Sequence, residues 1–160
     1  MKRIILLVVF LVSCVLPVRA DEYKWLGNQD EEAATLSYAI PESDALKIDF
    51  RCERKTRRVT VTFEHEPPVA KDGVRATIRL SSRGTGSDAV VNVPATGERL
   101  ELDDKFVFQG ETPMIGNLRR ILLDGKVLVV TIDGRREEIP LKGAAQAARH
   151  LLAACPPASS

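Results

Sequence analysis

Apolar and polar side chains alternate along most of the chain beyond residue 35, with a period of two. Leu46, Ile48, Phe50 and Cys52 alternate with Lys47, Asp49 and Arg51. Val59, Val61 and Phe63 alternate with Arg58, Thr60 and Thr62, and Val74, Ala76, Ile78 and Leu80 with Arg75, Thr77 and Arg79. Successive side chains on a strand point to opposite faces, so this pattern predicts half-buried strands with one apolar face. Residues 36–40 form an earlier strand. Residues 89–93, 100–102 and 106–108 are shorter candidates, punctuated by Pro94, Gly97 and Gly110. Residues 127–132 are nearly all apolar, which predicts a strand covered on both faces. Asp133-Gly134 and a second run over 135–141 complete a hairpin, because Asp-Gly suits a turn whose two central residues need positive φ.

Two segments change period. Thr112 can cap a helix, Pro113 fits its first position, and Ile115, Leu118 and Leu122 share one face. Gly125 is its expected stop. A second helix is expected over 143–155, with Ala144, Ala148, Leu151, Leu152 and Cys155 on one stripe. Pro156-Pro157 ends it, and residues 156–160 form a frayed tail. Small alanines on the stripe suit a close approach to a sheet. No internal repeat interrupts this layout. Many short strands with frequent turns predict a mainly β fold, an antiparallel β-sandwich or small barrel, with a short internal helix and a docked C-terminal helix.

The first twenty residues follow another logic. Met1-Lys2-Arg3 is positive, residues 4–16 are almost wholly apolar, and Val18-Arg19-Ala20 places short residues before Asp21. This is the layout of a cleaved secretory signal, and the apolar run is short for a membrane span of about 20 residues. Residues 1–20 are therefore expected to be removed, leaving one domain over 21–155. Leu11-Val12-Ser13-Cys14 also resembles a lipobox, so lipidation at Cys14 is the alternative, with the product tethered to the envelope rather than free in the periplasm or medium.

Removing the signal changes the charge. The full chain holds 23 basic and 22 acidic side chains. Three of the basic ones, Lys2, Arg3 and Arg19, belong to the signal, so the mature chain is slightly acidic. A balanced domain gives no case for nucleic-acid binding. Removal also leaves Cys52 and Cys155 as a pair. In an exported protein such a pair is expected to oxidise to a disulfide, the alternatives being two free thiols or a metal pair lacking other ligands. Closing a loop of about 100 residues contributes about 4–5 kcal/mol in the chain-entropy model.

Catalytic patterns are sparse. His65 lies in Glu64-His65-Glu66, but neighbouring strand residues face opposite ways and make a poor metal set, so no metal is assigned. His150 sits beside Arg149 on the last helix. There is no Gly-x-Ser-x-Gly, and Gly84-Thr85-Gly86 lacks the lysine and helix of a phosphate loop. No cofactor is implied. Carboxylates such as Asp103-Asp104 and Glu137-Glu138 are plentiful, as in any β domain. Trp25, Tyr23 and Tyr38 cluster near the mature start. The remaining constellation is basic. If neighbouring strands pair in order, Lys47, Arg51, Arg58, Arg75 and Arg79 share an outward face with Thr60, Thr62 and Thr77. That face could hold an anionic envelope component; the plain alternative is a solvated surface that discourages aggregation.

The runs Leu36-Ser37-Tyr38-Ala39-Ile40-Pro41 and Ile48-Asp49-Phe50-Arg51-Cys52 are distinctive. So is the ending Ile139-Pro140-Leu141-Lys142-Gly143-Ala144 with Leu151-Leu152-Ala153-Ala154-Cys155. Together they resemble small exported proteins of Gram-negative bacteria. The resemblance implies a periplasmic β domain with paired cysteines and carries over no activity and no functional residue. The expected function is that of a non-catalytic binding or accessory protein of the cell envelope, acting on an anionic component or another periplasmic protein. The alternatives are a small carboxylate-dependent hydrolase and an exported enzyme inhibitor presenting the loop at 83–87.

Overall fold

The computed structural model describes residues 22–84, 89–102 and 104–156. The signal segment with Cys14, most of the 83–87 loop and residues 157–160 lie outside the described residues. Nine strands form: β1 (Lys24–Gln29), β2 (Ala33–Ala39), β3 (Leu46–Glu53), β4 (Arg58–Glu64), β5 (Arg75–Arg83), β6 (Val90–Arg99), β7 (Phe106–Pro113), β8 (Val127–Ile132) and β9 (Arg135–Pro140). Every neighbouring pair is antiparallel, and one sheet runs β1-β2-β3-β4-β7-β6-β5-β8-β9. Of the expected sandwich or small barrel, the mainly β, antiparallel character holds; no second sheet is seen among the described residues, and the strands form a single curled sheet, a half-barrel. Its two edge strands converge: the Trp25 indole N–H on β1 donates to the Pro140 carbonyl on β9 at 2.7 Å, yet no ladder joins them.

The alternating apolar residues build the inner face. Leu36, Ile48, Phe50, Cys52, Val59, Val61, Phe63, Ile78, Leu80, Val93, Phe108, Leu128 and Val130 are buried in one core. Three helices pack into the curl: α1 (Gly116–Asp124), α2 (Ala144–Ala147) and α3 (Arg149–Ala154). Leu118, Ile121 and Leu122 of α1 meet β5 and β6, while α3 packs against β1, β2 and β3. Cys52 at the end of β3 is bonded to Cys155 just past α3, with Cα atoms 6.0 Å apart. The Asp133-Gly134 turn adopts positive φ at both residues, 48° and 74°.

Several boundaries differ from the sequence reading. Thr112 and Pro113 do not open a helix; they end β7, opposite Val59 and Arg58 of β4. The Thr112 hydroxyl donates to the Pro113 carbonyl, and α1 begins only at Gly116. The short candidate at 89–93 extends past Pro94 into the ten-residue β6, 106–108 opens β7, and residues 100–102 belong to the turn between them. Pro94 lies just before the β6–β7 ladder begins at Ala95, where a strand tolerates a missing N–H. The expected last helix is two short ones meeting at Ala148, entered from Gly143 in the left-handed region.

Candidate functional site

The expected basic face does not assemble as one surface. Lys47, Arg51 and Arg58 lie on β3 and β4, which pair directly. Arg75 and Arg79 lie on β5, and β7 and β6 intervene between β4 and β5. Three strand spacings put the two groups about 14 Å apart along the sheet. Three of the five cations also face carboxylates. Lys47 Nζ is 3.8 Å from both Glu64 and Glu137. Arg51 Nε meets Glu53 and Arg58 Nε meets Glu111, each at 2.7 Å. The premise that failed is order in the sheet: β4 pairs with β7, not with the next strand in the chain.

His65 ends up at one end of the curl, beside Phe63 and Phe108, with ring centroids 6.2 and 6.0 Å away. Its Nε2 atom is buried without a hydrogen-bond partner. Burial holds its pKa below the ordinary histidine value, which favours the neutral ring. Among the described residues, no three His, Cys, Asp or Glu side chains come together as metal ligands.

A wide concavity lies on the opposite, outer side of the sheet. It is a cavity of about 640 Å³ over β1 and β2, walled by the 40–46 loop and the turn between β6 and β7. Alternation explains part of its lining. Trp25, Leu36 and Ile48 point inward, so Leu26 and Ser37 point outward, as does Asp49 beside them. Another part depends on a β-bulge. The β2–β3 register shifts between Tyr38 and Ala39, so that Ala39 pairs with Leu46 and Lys47 is passed over. Leu46, which strict alternation would bury with Ile48, instead joins Leu26, Ala39 and Ile40 in the outer groove.

The opposite lip is formed by Leu100 and Leu102, two exposed large apolar side chains. Lys105 Nζ donates to the Asp44 carbonyl at 2.5 Å and ties this turn to the 40–46 loop. Glu42, Asp44 and Glu101 stand in the lining, and no ion pair engages them among the described residues. At the floor the Ser37 hydroxyl donates to Asp49 Oδ1 at 2.5 Å. Burial raises the Asp49 pKa, and the Ser37 hydrogen bond and the Arg51 charge offset this only in part.

Alternation alone does not reveal the groove, because it assigns Leu46 to the core and Leu100 and Leu102 to a strand. One signal was present. An apolar pair amid Glu101, Asp103 and Asp104 in a hairpin turn gains nothing from a core it cannot reach. No protein-family model matches the chain, and neither a curated protein nor a solved structure matches it.

Proposed function

We propose that this is a non-catalytic binding protein of the cell envelope whose ligand occupies the outer groove. The observation that carries the reading is the groove itself: aliphatic walls around a concavity of about 640 Å³, with Leu100 and Leu102 held in solvent at its lip. That volume falls in the roughly 300–1,000 Å³ range of small-molecule sites. Exposed apolar groups clustered at a concave surface point to a ligand that covers them. Work outside the cytoplasm is supported by the signal-like first twenty residues and by the Cys52–Cys155 disulfide, which suits an oxidising compartment. Among the described residues no helix is long and apolar enough to cross a membrane.

The floor chemistry also favours binding over turnover. Ser37 and Asp49 sit mid-strand, and the β1–β2 and β2–β3 ladders flank Ser37 on both sides. Backbone N–H groups engaged in a ladder are not free to stabilise an oxyanion. A second reading, a carboxylate-dependent hydrolase, draws on the raised pKa of Asp49 and the acids above it. The inhibitor reading rests on the loop at 83–87, of which residues 85–87 lie outside the described residues.

The test is to incubate the purified protein with envelope extract and identify retained small molecules by mass spectrometry. A ligand held by the native protein and lost from a Leu100→Ser, Leu102→Ser double variant is the expected result. Turnover of an envelope substrate that Asp49→Asn abolishes, with nothing retained, would overturn it in favour of the hydrolase.

A further inference from the structure

We infer that the ligand of the outer groove is a small alkyl cation: an aliphatic chain carrying an ammonium or guanidinium head. This inference rests on the binding reading above and adds the chemistry of the occupant. The groove has two zones. Leu26, Ile40, Leu46 and Leu102 provide aliphatic wall. Glu42, Asp44 and Glu101 are exposed carboxylates in the same lining, which contains no basic side chain. Lys105 stands at the edge, outside the lining; its ammonium bonds the Asp44 carbonyl and lies 4.0 Å from Glu64. Three carboxylates without ion pairs among the described residues, against one ammonium at the edge, therefore leave the lining net negative where a ligand head would sit. An anionic amphiphile would meet like charge there and a neutral one would gain only the chain.

A peptide strand is a poorer occupant. Strand recognition adds a chain to an exposed sheet edge, where main-chain groups are unpaired. This groove lies over a sheet face; β2 at its floor is paired on both sides, and β9 approaches the free edge of β1 through the Trp25–Pro140 hydrogen bond.

The experiment compares three ten-carbon probes, each below its micelle concentration: decylammonium, decyl sulfate and decyl maltoside. Binding is measured by calorimetry on the purified protein, with the methyl signals of Leu26, Leu46 and Leu102 followed by NMR to locate it. Decylammonium is expected to bind about tenfold tighter than decyl sulfate in low salt, with the preference shrinking as salt screens the rim. A Glu42→Gln, Asp44→Asn, Glu101→Gln triple variant changes only exposed side chains. It is expected to lose the preference and to keep chain binding, with its melting point confirming the fold. Equal binding of cation and anion, or a preference that survives in the triple variant, would overturn the inference and leave the groove reading standing. No methyl shift with any probe would overturn both. A basic amphipathic peptide serves as a fourth arm; its binding there without decylammonium binding would overturn the alkyl cation in favour of a protein partner.

Discussion

Two titrating side chains sit where burial opposes charge, and they pull stability in opposite directions with pH. Asp49 titrates higher in the folded chain than in the unfolded one, chiefly through burial. The folded state then holds an extra proton over the window that begins near the unfolded value of about 3.9. Stability from this group is greatest below that window, falls as pH rises through it, and is level above. Asn keeps an oxygen for the Ser37 hydroxyl without the charge. Asp49→Asn should therefore melt higher than the native protein at pH 7, with the difference vanishing near pH 3. A difference constant across pH would refute the assignment. His65 runs the other way. Its folded pKa lies below the ordinary histidine value, chiefly from burial; Arg135 adds to the fall, and Asp133, Glu137 and Glu66 offset part of it. Its contribution is complete above the unfolded value and is lost as pH falls towards the folded one. His65→Phe removes the unpartnered Nε2 and retains a ring between Phe63 and Phe108. Thermal melts should show the variant gaining on the native protein as pH drops from 7 to 5, and parallel profiles would contradict this.

At the scale of elements, the tightest joint is between β1 and α2. A Cβ placed on Gly27 would lie 2.0 Å from the Ala147 carbonyl oxygen, which is backbone and cannot swing aside. Gly27→Ala should cost about 1–3 kcal/mol by chemical denaturation, as overpacking typically does. Gly116→Ala on α1 meets nothing within 4 Å and should be nearly neutral. Equal effects of the two would mean that the helix docks loosely. The contrast also explains what was legible in the chain. The strands of the inner face could be read because each needs only its own alternation, and residues 58–63 and 127–132 lie within strands as expected. The Asp133-Gly134 turn was readable for the same local reason. Thr112-Pro113 was not, because the pair suits both a helix start and a strand end, and β4 decides between them from more than fifty residues away. Leu46 was misplaced because a bulge depends on two strands at once. The outer groove inherits that limit, since its lining comes from three segments that only the folded sheet brings together.

The whole molecule is a curled sheet whose open side is filled by helices, and one covalent bond ties the last helix to the sheet. α3 has only six residues, too few to persist alone, so its place depends on what holds it. Leu151 and Cys155 are buried, but most of the small side chains around them bring little apolar area. The disulfide spans 103 positions, and a loop of that size should contribute about 4–5 kcal/mol if the unfolded chain is otherwise unconstrained. Against a typical domain stability of about 5–15 kcal/mol, this is a large share. The curl makes the dependence wider than one helix. α2 and α3 both pack on β1, so releasing α3 also loosens the strand whose Trp25 bonds Pro140 of β9. The outer groove uses β1 and β2 as its floor, so its shape follows the same bond. Urea unfolding with and without reductant measures this directly. The unreduced protein should show no reactive thiol at Cys52 or Cys155 and should lose at least about 2 kcal/mol when reduced, together with its groove affinity. A loss under about 1 kcal/mol with groove binding intact would mean that side-chain burial alone seats α3, and that the bond is dispensable to the site.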